Sequence, residues 1–132
     1  MNTSTGSAQF APQLSLKLVA PAVEFYKKAF GATEVRIFSN DDGSIHVAEL
    51  AIGDALFHLH EEMPHGEERA PGGLGATTVL IGLFVDDPDK LMTNALAAGG
   101  RELHPIQDYF YGYRQGTVAD PFGHHWMLQK RI

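Results

Sequence analysis

The chain has 132 residues, a formal net charge of −6 and no cysteine. With 44% hydrophobic and 20% charged residues, it has the composition of one globular domain that can bury a core. The lack of cysteine excludes disulfides and thiolate chemistry, and the negative charge argues against a nucleic-acid partner, because phosphate binding needs a basic face.

The hydropathy pattern predicts a cytoplasmic protein that does not enter a membrane. No apolar run approaches the ~18 residues needed to span a bilayer. The opening MNTSTGSAQFAPQ has neither the basic nor the apolar segment of a secretory signal. We expect residues 1–12 to form a flexible polar tail, and residues 13–132 to form a single domain.

In the first half, residues 13–62, the pattern predicts one strand, one helix and three further strands. Polar and apolar residues alternate from Gln13 to Leu18, as in a half-buried strand. Pro21 suits the first turn of a helix through AVEFYKKAF, and Gly31 ends it. EVRIFS, HVAELAI and ALFHLHEE predict three strands joined by turns at residues 40–43 and 53–54.

Residues 63–77, MPHGEERAPGGLGAT, have no periodicity, which is typical of a linker or a functional lid. The second half, residues 78–132, begins with a strand over TVLIGLFV. Asp87 and Pro88 then predict the N-cap and first residue of a helix that Gly99 ends. A short strand RELH, an aromatic loop DYFYGYRQG, a strand TVA, a turn DPFG and a strand HHWMLQK follow.

Both halves therefore repeat the order strand, helix, three strands, and AFGATEV in the first is echoed by AAGGREL in the second. The predicted fold class is α+β, with two βαβββ modules that form a curved mixed sheet. The helices are expected on its convex side.

Four segments carry a family resemblance: AVEFYKKAFGA, AELAIGDALFHL, FVDDPDKLMTNALAAGG and YGYRQGTVADPFGHHWML. They resemble the vicinal oxygen chelate superfamily of glyoxalase I, bleomycin-resistance proteins and extradiol dioxygenases, and within it the PhnB-like branch. The resemblance extends over nearly all of Gln13 to Leu128. It implies the glyoxalase/bleomycin-resistance fold, a homodimer and a small-molecule ligand on the concave face of the sheet.

Catalytic members of this superfamily hold a divalent metal with four ligands from the first and last strands of each module. Carried over, these positions fall on Gln13, His58, Leu80 and Met127. Leucine cannot bind a metal, and a thioether is a poor ligand for hard or borderline ions. We therefore expect no metal and no cofactor. If nickel, zinc, manganese or iron does bind, Gln13 and His58 are the candidate ligands.

Strand alternation assigns the remaining candidates of the second half to a face. If Met127 faces the concave side, His125 and Gln129 face it too, and the same rule places Leu80 and Phe84 toward the pocket. His125 is thus either a pocket residue or a surface residue next to a turn. His124 and Trp126 face the other way, toward the helices and the core, and the position of His124 at the start of the strand is also compatible with a solvated side chain.

Several polar and aromatic residues keep two interpretations. His58 and His60 share a face and are either pocket-lining or metal-binding. Glu49 points away from the core, as a solvated carboxylate or as a pocket acid. The loop that contains Tyr109, Phe110, Tyr111 and Tyr113 lines a ligand, forms a dimer contact or packs over the edge of the cup.

The predicted ligand-binding residues are Gln13, His58, His60, Leu80, Phe84, Tyr109, Phe110, His125 and Met127. Three functions are compatible with them. The leading one is binding, without a metal, of a small molecule that is partly aromatic or cationic, such as a drug-like or toxic metabolite. The alternatives are a metal-dependent lyase or isomerase of the glyoxalase I type with a rebuilt metal site, and a fold kept for assembly alone.

Overall fold

The computed structural model describes residues 7–132, so the first half of the predicted tail lies outside the described residues. Within these residues, eight strands and three helices follow one another. They are β1 (Gln13–Leu16), α1 (Val19–Phe30), β2 (Thr33–Ser39), β3 (Ile45–Ile52), β4 (Ala55–Glu61), α2 (Pro71–Leu74), β5 (Leu80–Phe84), α3 (Pro88–Ala97), β6 (Arg101–Tyr109), β7 (Tyr113–Ala119) and β8 (His125–Arg131).

The strands form two four-stranded sheets with the same topology. The first has the order β1-β4-β3-β2 and the second β5-β8-β7-β6. In each sheet the first and last strands of the half pair in parallel, and the other pairs are antiparallel. The predicted α+β class with two repeated mixed sheets is confirmed.

The two long helices cover one face of each sheet and contact each other. Helix α1 packs on β3 and β4, and α3 packs on β6, β7 and β8. Helix α1 begins at Val19, two residues before Pro21, and ends at Gly31 in the left-handed conformation with φ of 68°. Asp87 caps α3 as predicted, because its side chain accepts a hydrogen bond from Lys90 N at 3.1 Å. None of the helices within residues 7–132 is long and apolar enough to cross a bilayer.

Aromatic side chains from both halves meet in the core. Trp126, at 1% exposure, lies 5.4 Å from the Tyr26 ring, 5.0 Å from Phe30 and 5.5 Å from Phe57 between ring centroids. Such tilted and edge-on contacts are the arrangement that aromatic quadrupoles favour. The prediction that Trp126 is a core residue is confirmed.

Asp120, in the turn before β8, forms hydrogen bonds with two residues of this cluster. Its carboxylate accepts hydrogen bonds from Tyr26 OH at 2.5 Å and from Trp126 Nε1 at 3.0 Å. The backbone N–H groups of Phe122 and His124 also donate to it, each at 3.0 Å. Burial raises the pKa of Tyr26 well above its usual value, and the nearby Asp120 charge raises it further. This buried carboxylate thus joins α1 of the first half to the last turn of the second half.

Two local predictions are wrong. The aromatic loop is only a short turn, because β6 continues to Tyr109 and β7 starts at Tyr113, where the two residues pair across the strands. Aromatic side chains favour strands, and the turn is confined to residues 110–112, where Gly112 has a positive φ of 90°. The linker contains helix α2. Of the two interpretations of His124, the structure favours the inward one, because the residue is half-buried and its Nε2 lies 3.0 Å from Ser15 O, a contact between the two halves.

Candidate functional site

Each sheet has a second face that carries no helix, which we call its open face. In the first sheet the side chains that alternate with buried Leu14, Ala48, Leu50 and Leu59 lie on it. Strand register places Gln13 beside His58, His58 beside Glu49, and Glu49 beside Arg36. We call these four residues the polar row.

The polar row contains one acid–base pair. His58 Nε2 lies 4.0 Å from Glu49 Oε2, and the two side chains are 28% and 21% exposed. Of the two interpretations of Glu49, the arrangement favours an acid on the open face beside an imidazole over an isolated solvated carboxylate. At this distance and exposure the pair contributes little to the free energy of unfolding. What distinguishes the open face of the first sheet is that an acid and a base are neighbours there.

His60 lies one strand period from His58 but is held by its neighbours. Its Nδ1 lies 2.7 Å from the carbonyl oxygen of Glu61, and its ring centroid lies 4.7 Å from that of His46. His46 is the second residue of β3, within the strand that HVAELAI predicts, and its Nδ1 lies 2.7 Å from Glu61 Oε1. This hydrogen bond holds the pKa of Glu61 below its usual value.

The open face of the second sheet is mainly apolar along β5 and β8. Register pairs Leu80 with His125, Gly82 with Met127, and Phe84 with Gln129. Leu80 is 48% exposed and Phe84 is 45% exposed. Four of the predicted site residues, Leu80, Phe84, His125 and Met127, are therefore together on one face. Gln13, His58 and His60 are together on the other sheet.

A pair of buried amides lies in the middle of this second open face. Gln115 is 8% exposed and Gln129 is 7% exposed. Gln115 Nε2 donates to Gln129 Oε1 at 2.8 Å and to Met127 Sδ at 3.1 Å. Tyr111 OH donates in turn to Gln115 Oε1. We call Gln115 and Gln129 the amide pair.

Aromatic rings and one guanidinium border the amide pair. Phe84 and Tyr113 pack edge to face with centroids 5.6 Å apart, and the Arg131 guanidinium lies 4.1 Å from the Phe84 centroid. Tyr109 stacks on Tyr111 at 5.3 Å, which brings it to the rim of this face. Phe110 is fully exposed at the tip of the β6–β7 turn.

The side chains do not fit the four-ligand metal site that the resemblance implies. Gln13 and His58 are cross-strand neighbours, but the neighbour of Leu80 is His125 and that of Met127 is Gly82. The second sheet thus offers one imidazole beside a leucine. Within residues 7–132 no three His, Asp or Glu side chains are grouped to hold a metal ion.

Clefts also occur where the two halves meet. One of about 520 Å³ lies between β1, β5 and the linker, and Gln13 and His124 are among its walls. Another of about 450 Å³ is lined by Phe57, Leu83 and Trp126 and bordered by Phe10 of the N-terminal segment. Neither follows from strand alternation, because both are formed by segments distant in sequence.

Sequence reasoning missed Gln115 and Arg131, and it named Tyr111 only as a member of the aromatic loop. It placed Gln129 on the correct face without including it in the site. The missing signal was the true start of β7. A strand that begins at Tyr113 places Tyr113, Gln115 and Thr117 on one face by alternation, whereas a predicted loop gives these residues no direction.

With this geometry in view, comparison with known proteins identifies the family. Residues 14–128 match the sequence model of the Glyoxalase/Bleomycin resistance protein/Dioxygenase superfamily. The chain belongs to this superfamily. Uncharacterized proteins of Mycobacterium bovis and Mycobacterium tuberculosis are each 39% identical over 125 residues, which is 92% of this chain and 82% and 74% of theirs.

Solved structures share the superfamily fold. TioX from Micromonospora sp. ML1 has a TM-score of 0.76 at 24% identity, over 96% of this chain and 100% of that one. The fosfomycin resistance protein FosX from Mesorhizobium loti has a TM-score of 0.67 at 14% identity, over 96% and 93%. A family enzyme from Burkholderia phytofirmans PsJN has a TM-score of 0.70 at 18% identity, over 91% and 95%.

Proposed function

We propose that this chain is a PhnB-like member of the superfamily and that it binds a small molecule, without a metal, on the open face of the second sheet. The observation that carries the proposal is the combination of exposed apolar side chains with a buried amide pair on that face. Small-molecule sites are typically apolar, with a few fixed polar groups that set orientation. Leu80, Phe84 and Met127 supply the apolar surface, and the amide pair supplies the polar groups.

We further propose that the binding site is completed in a homodimer. Each open face carries large apolar side chains in contact with solvent: Leu80 and Phe84 on the second sheet and Phe38, at 41% exposure, on the first. Contiguous exposed apolar surface on a small domain is typical of an interaction site. Light scattering after size exclusion should give twice the 14.4 kDa chain mass, and a monomer at micromolar concentration would contradict this part of the proposal.

A thermal-shift screen tests binding. Aromatic compounds that bind the folded protein should raise the melting temperature as their concentration exceeds Kd. The Phe84→Ala variant should lose this shift, because it removes an exposed aromatic ring that borders the amide pair. Leu96→Ala, which removes an exposed side chain from α3, is the matched control and should keep the shift. Equal shifts in both variants would place the ligand elsewhere.

A second candidate function is a metal-dependent lyase or isomerase of the glyoxalase I type. The observation that favours it is the polar row, where Gln13, His58 and Glu49 bring an amide, an imidazole and a carboxylate onto adjacent strands. Oxygen and imidazole donors suit the divalent ions of such enzymes. The His58–Glu49 pair is also suited to proton transfer.

Metal content discriminates between the two candidates. Untagged protein is incubated with nickel, zinc, manganese or iron, desalted, and analysed for bound metal. About one metal per subunit in the wild type, lost in His58→Ala, would support the enzyme and contradict metal-free binding. Metal near zero in every case would remove the enzyme candidate. Lys17→Ala, one residue beyond the strand that carries Gln13, is the control for the effect of substitution itself.

A further inference from the structure

Gln129 presents an amide nitrogen whose direction is fixed by its neighbours. Gln115 Nε2 lies 2.8 Å from Gln129 Oε1 and 3.1 Å from Met127 Sδ. A thioether can only accept a hydrogen bond, so the Gln115 atom that faces Met127 is the nitrogen. The same nitrogen then requires the oxygen of Gln129 as its second acceptor. The Gln129 nitrogen is consequently turned away from Gln115.

This nitrogen is a donor that the protein leaves available. Among residues 7–132, Gln129 Nε2 has no hydrogen-bond partner. Every side-chain nitrogen or oxygen there that is completely inaccessible to solvent does have a partner. The Gln129 nitrogen is therefore reachable from outside, even though the residue is only 7% exposed. It lies over Gly82, where a Cβ atom would come within 3.0 Å of it. Glycine at this position keeps the approach to the donor open.

A second donor group lies two residues further along β8. The Arg131 guanidinium stacks over Phe84, and no carboxylate of residues 7–132 lies within ion-pair distance of it. Arg114, by contrast, is bound by Asp89 and Asp108. Residues two apart in a strand share a face and lie about 7 Å from each other, so Gln129 and Arg131 present their donors side by side.

We propose that the ligand of this face is a planar aromatic acid, with its ring against Phe84 and Met127 and its carboxylate between Arg131 and Gln129 Nε2. This inference rests on the small-molecule binding proposed above and names the chemical class of the ligand. The site offers two donor groups and aromatic surface, which suit an acceptor with negative charge. A cationic ligand, one of the two classes expected from the sequence, would meet the unpaired Arg131 charge.

Four probes that share one naphthalene ring test the charge preference: 2-naphthoate, 2-acetylnaphthalene, naphthalene and 2-naphthylmethylammonium. Their dissociation constants are measured by titration with nuclear magnetic resonance detection on the full chain. We expect affinity to fall in the order in which the probes are named. Arg131→Gln should weaken 2-naphthoate about fivefold and leave 2-acetylnaphthalene unchanged.

Gln129→Met, which removes the donor at similar volume, should weaken 2-naphthoate and 2-acetylnaphthalene about fivefold each without affecting naphthalene. Lys130→Gln is the matched control for Arg131→Gln. It removes one positive charge from the neighbouring residue of β8, whose ammonium lies near Asp89 on the helix side. This control should bind all four probes like the wild type. Arg131 is exposed, so its variant reports on binding even if the Gln129 variant folds poorly.

The outcomes separate the two proposals. Equal affinity for all four probes, or a preference for the ammonium, overturns the aromatic acid and leaves small-molecule binding intact. The same conclusion follows if none of the probes binds while the thermal-shift screen finds another ligand. If neither experiment finds a ligand, both proposals are overturned.

Discussion

The two halves of this protein share a topology but differ on the faces that carry no helix. The first open face has the polar row, in which Gln13, His58, Glu49 and Arg36 are aligned across four strands. The second has Leu80, Phe84 and Met127 around a buried amide pair. The faces toward the helices are alike, since both are apolar and both contribute to one aromatic core. Residues that hold the fold together are therefore constrained, while the open faces are free to differ.

The largest difference in unfolding free energy should be between a variant of the core and a variant of the second open face. Phe57, at 3% exposure, packs on Tyr26 and Trp126, and Phe57→Ala should lower the free energy of unfolding by about 3–5 kcal/mol. Phe84, at 45% exposure, should cost about 1 kcal/mol or less when truncated. Urea unfolding of both variants measures the difference. Equal losses would mean that the second open face is part of the core.

The connection between the halves should have the next largest effect. Asp120→Ala leaves Tyr26 OH, Trp126 Nε1 and two backbone N–H groups without their acceptor. We expect the free energy of unfolding to fall by about 3 kcal/mol. Asp108→Ala, which removes a carboxylate with 64% exposure, should change it by about 0.5 kcal/mol or less. A loss in the Asp120 variant as small as in this control would show that the buried carboxylate does not join the halves energetically.

Substitutions in the amide pair should have an intermediate effect on the free energy of unfolding. Its size should depend on whether one glutamine or both are replaced. Gln115→Leu leaves Gln129 Oε1 without its donor, and about 1–2 kcal/mol of unfolding free energy should be lost. The double variant with Gln129→Leu should be no less stable than the single one, because neither amide is then left unsatisfied. Chemical unfolding of the single and double variants provides the test, and additive losses would contradict the pairing.

The smallest effect should be the pH dependence of stability that Glu61 contributes in the first half. The pKa of Glu61 is lowered in the folded state, first by the hydrogen bond from His46 and then by that from Asn40. A carboxyl with a depressed folded pKa stabilises the protein above its unfolded value of 4.5, and this contribution disappears as pH falls through the folded pKa. Between pH 6 and pH 3, wild type should therefore lose more stability than Glu61→Gln. Parallel profiles would show that Glu61 is not responsible.

The sequence predicted more of the fold than of the site. The order of the strands and the two long helices and the Asp87 cap follow from local periodicity and capping, and the structure confirms them. The main local error, the aromatic segment from Tyr109 to Tyr113, had consequences for the site. A loop assignment concealed the direction of Gln115, and with it the amide pair. The ligand and the dimer stay predictions.

The sequence by itself determined the features that depend on residues only a few positions apart. Alternation and helical periodicity decided which side chains are buried, and the loss of polar residues at Leu80 and Met127 already argued against the family metal site. Only the tertiary structure decided which distant residues meet. Tyr26 and Asp120 are 94 positions apart, and His124 and Ser15 are 109 apart. Such pairs depend on strand register and on the packing of the two halves, because hydrogen bonds between distant segments form only when the whole chain brings both groups together.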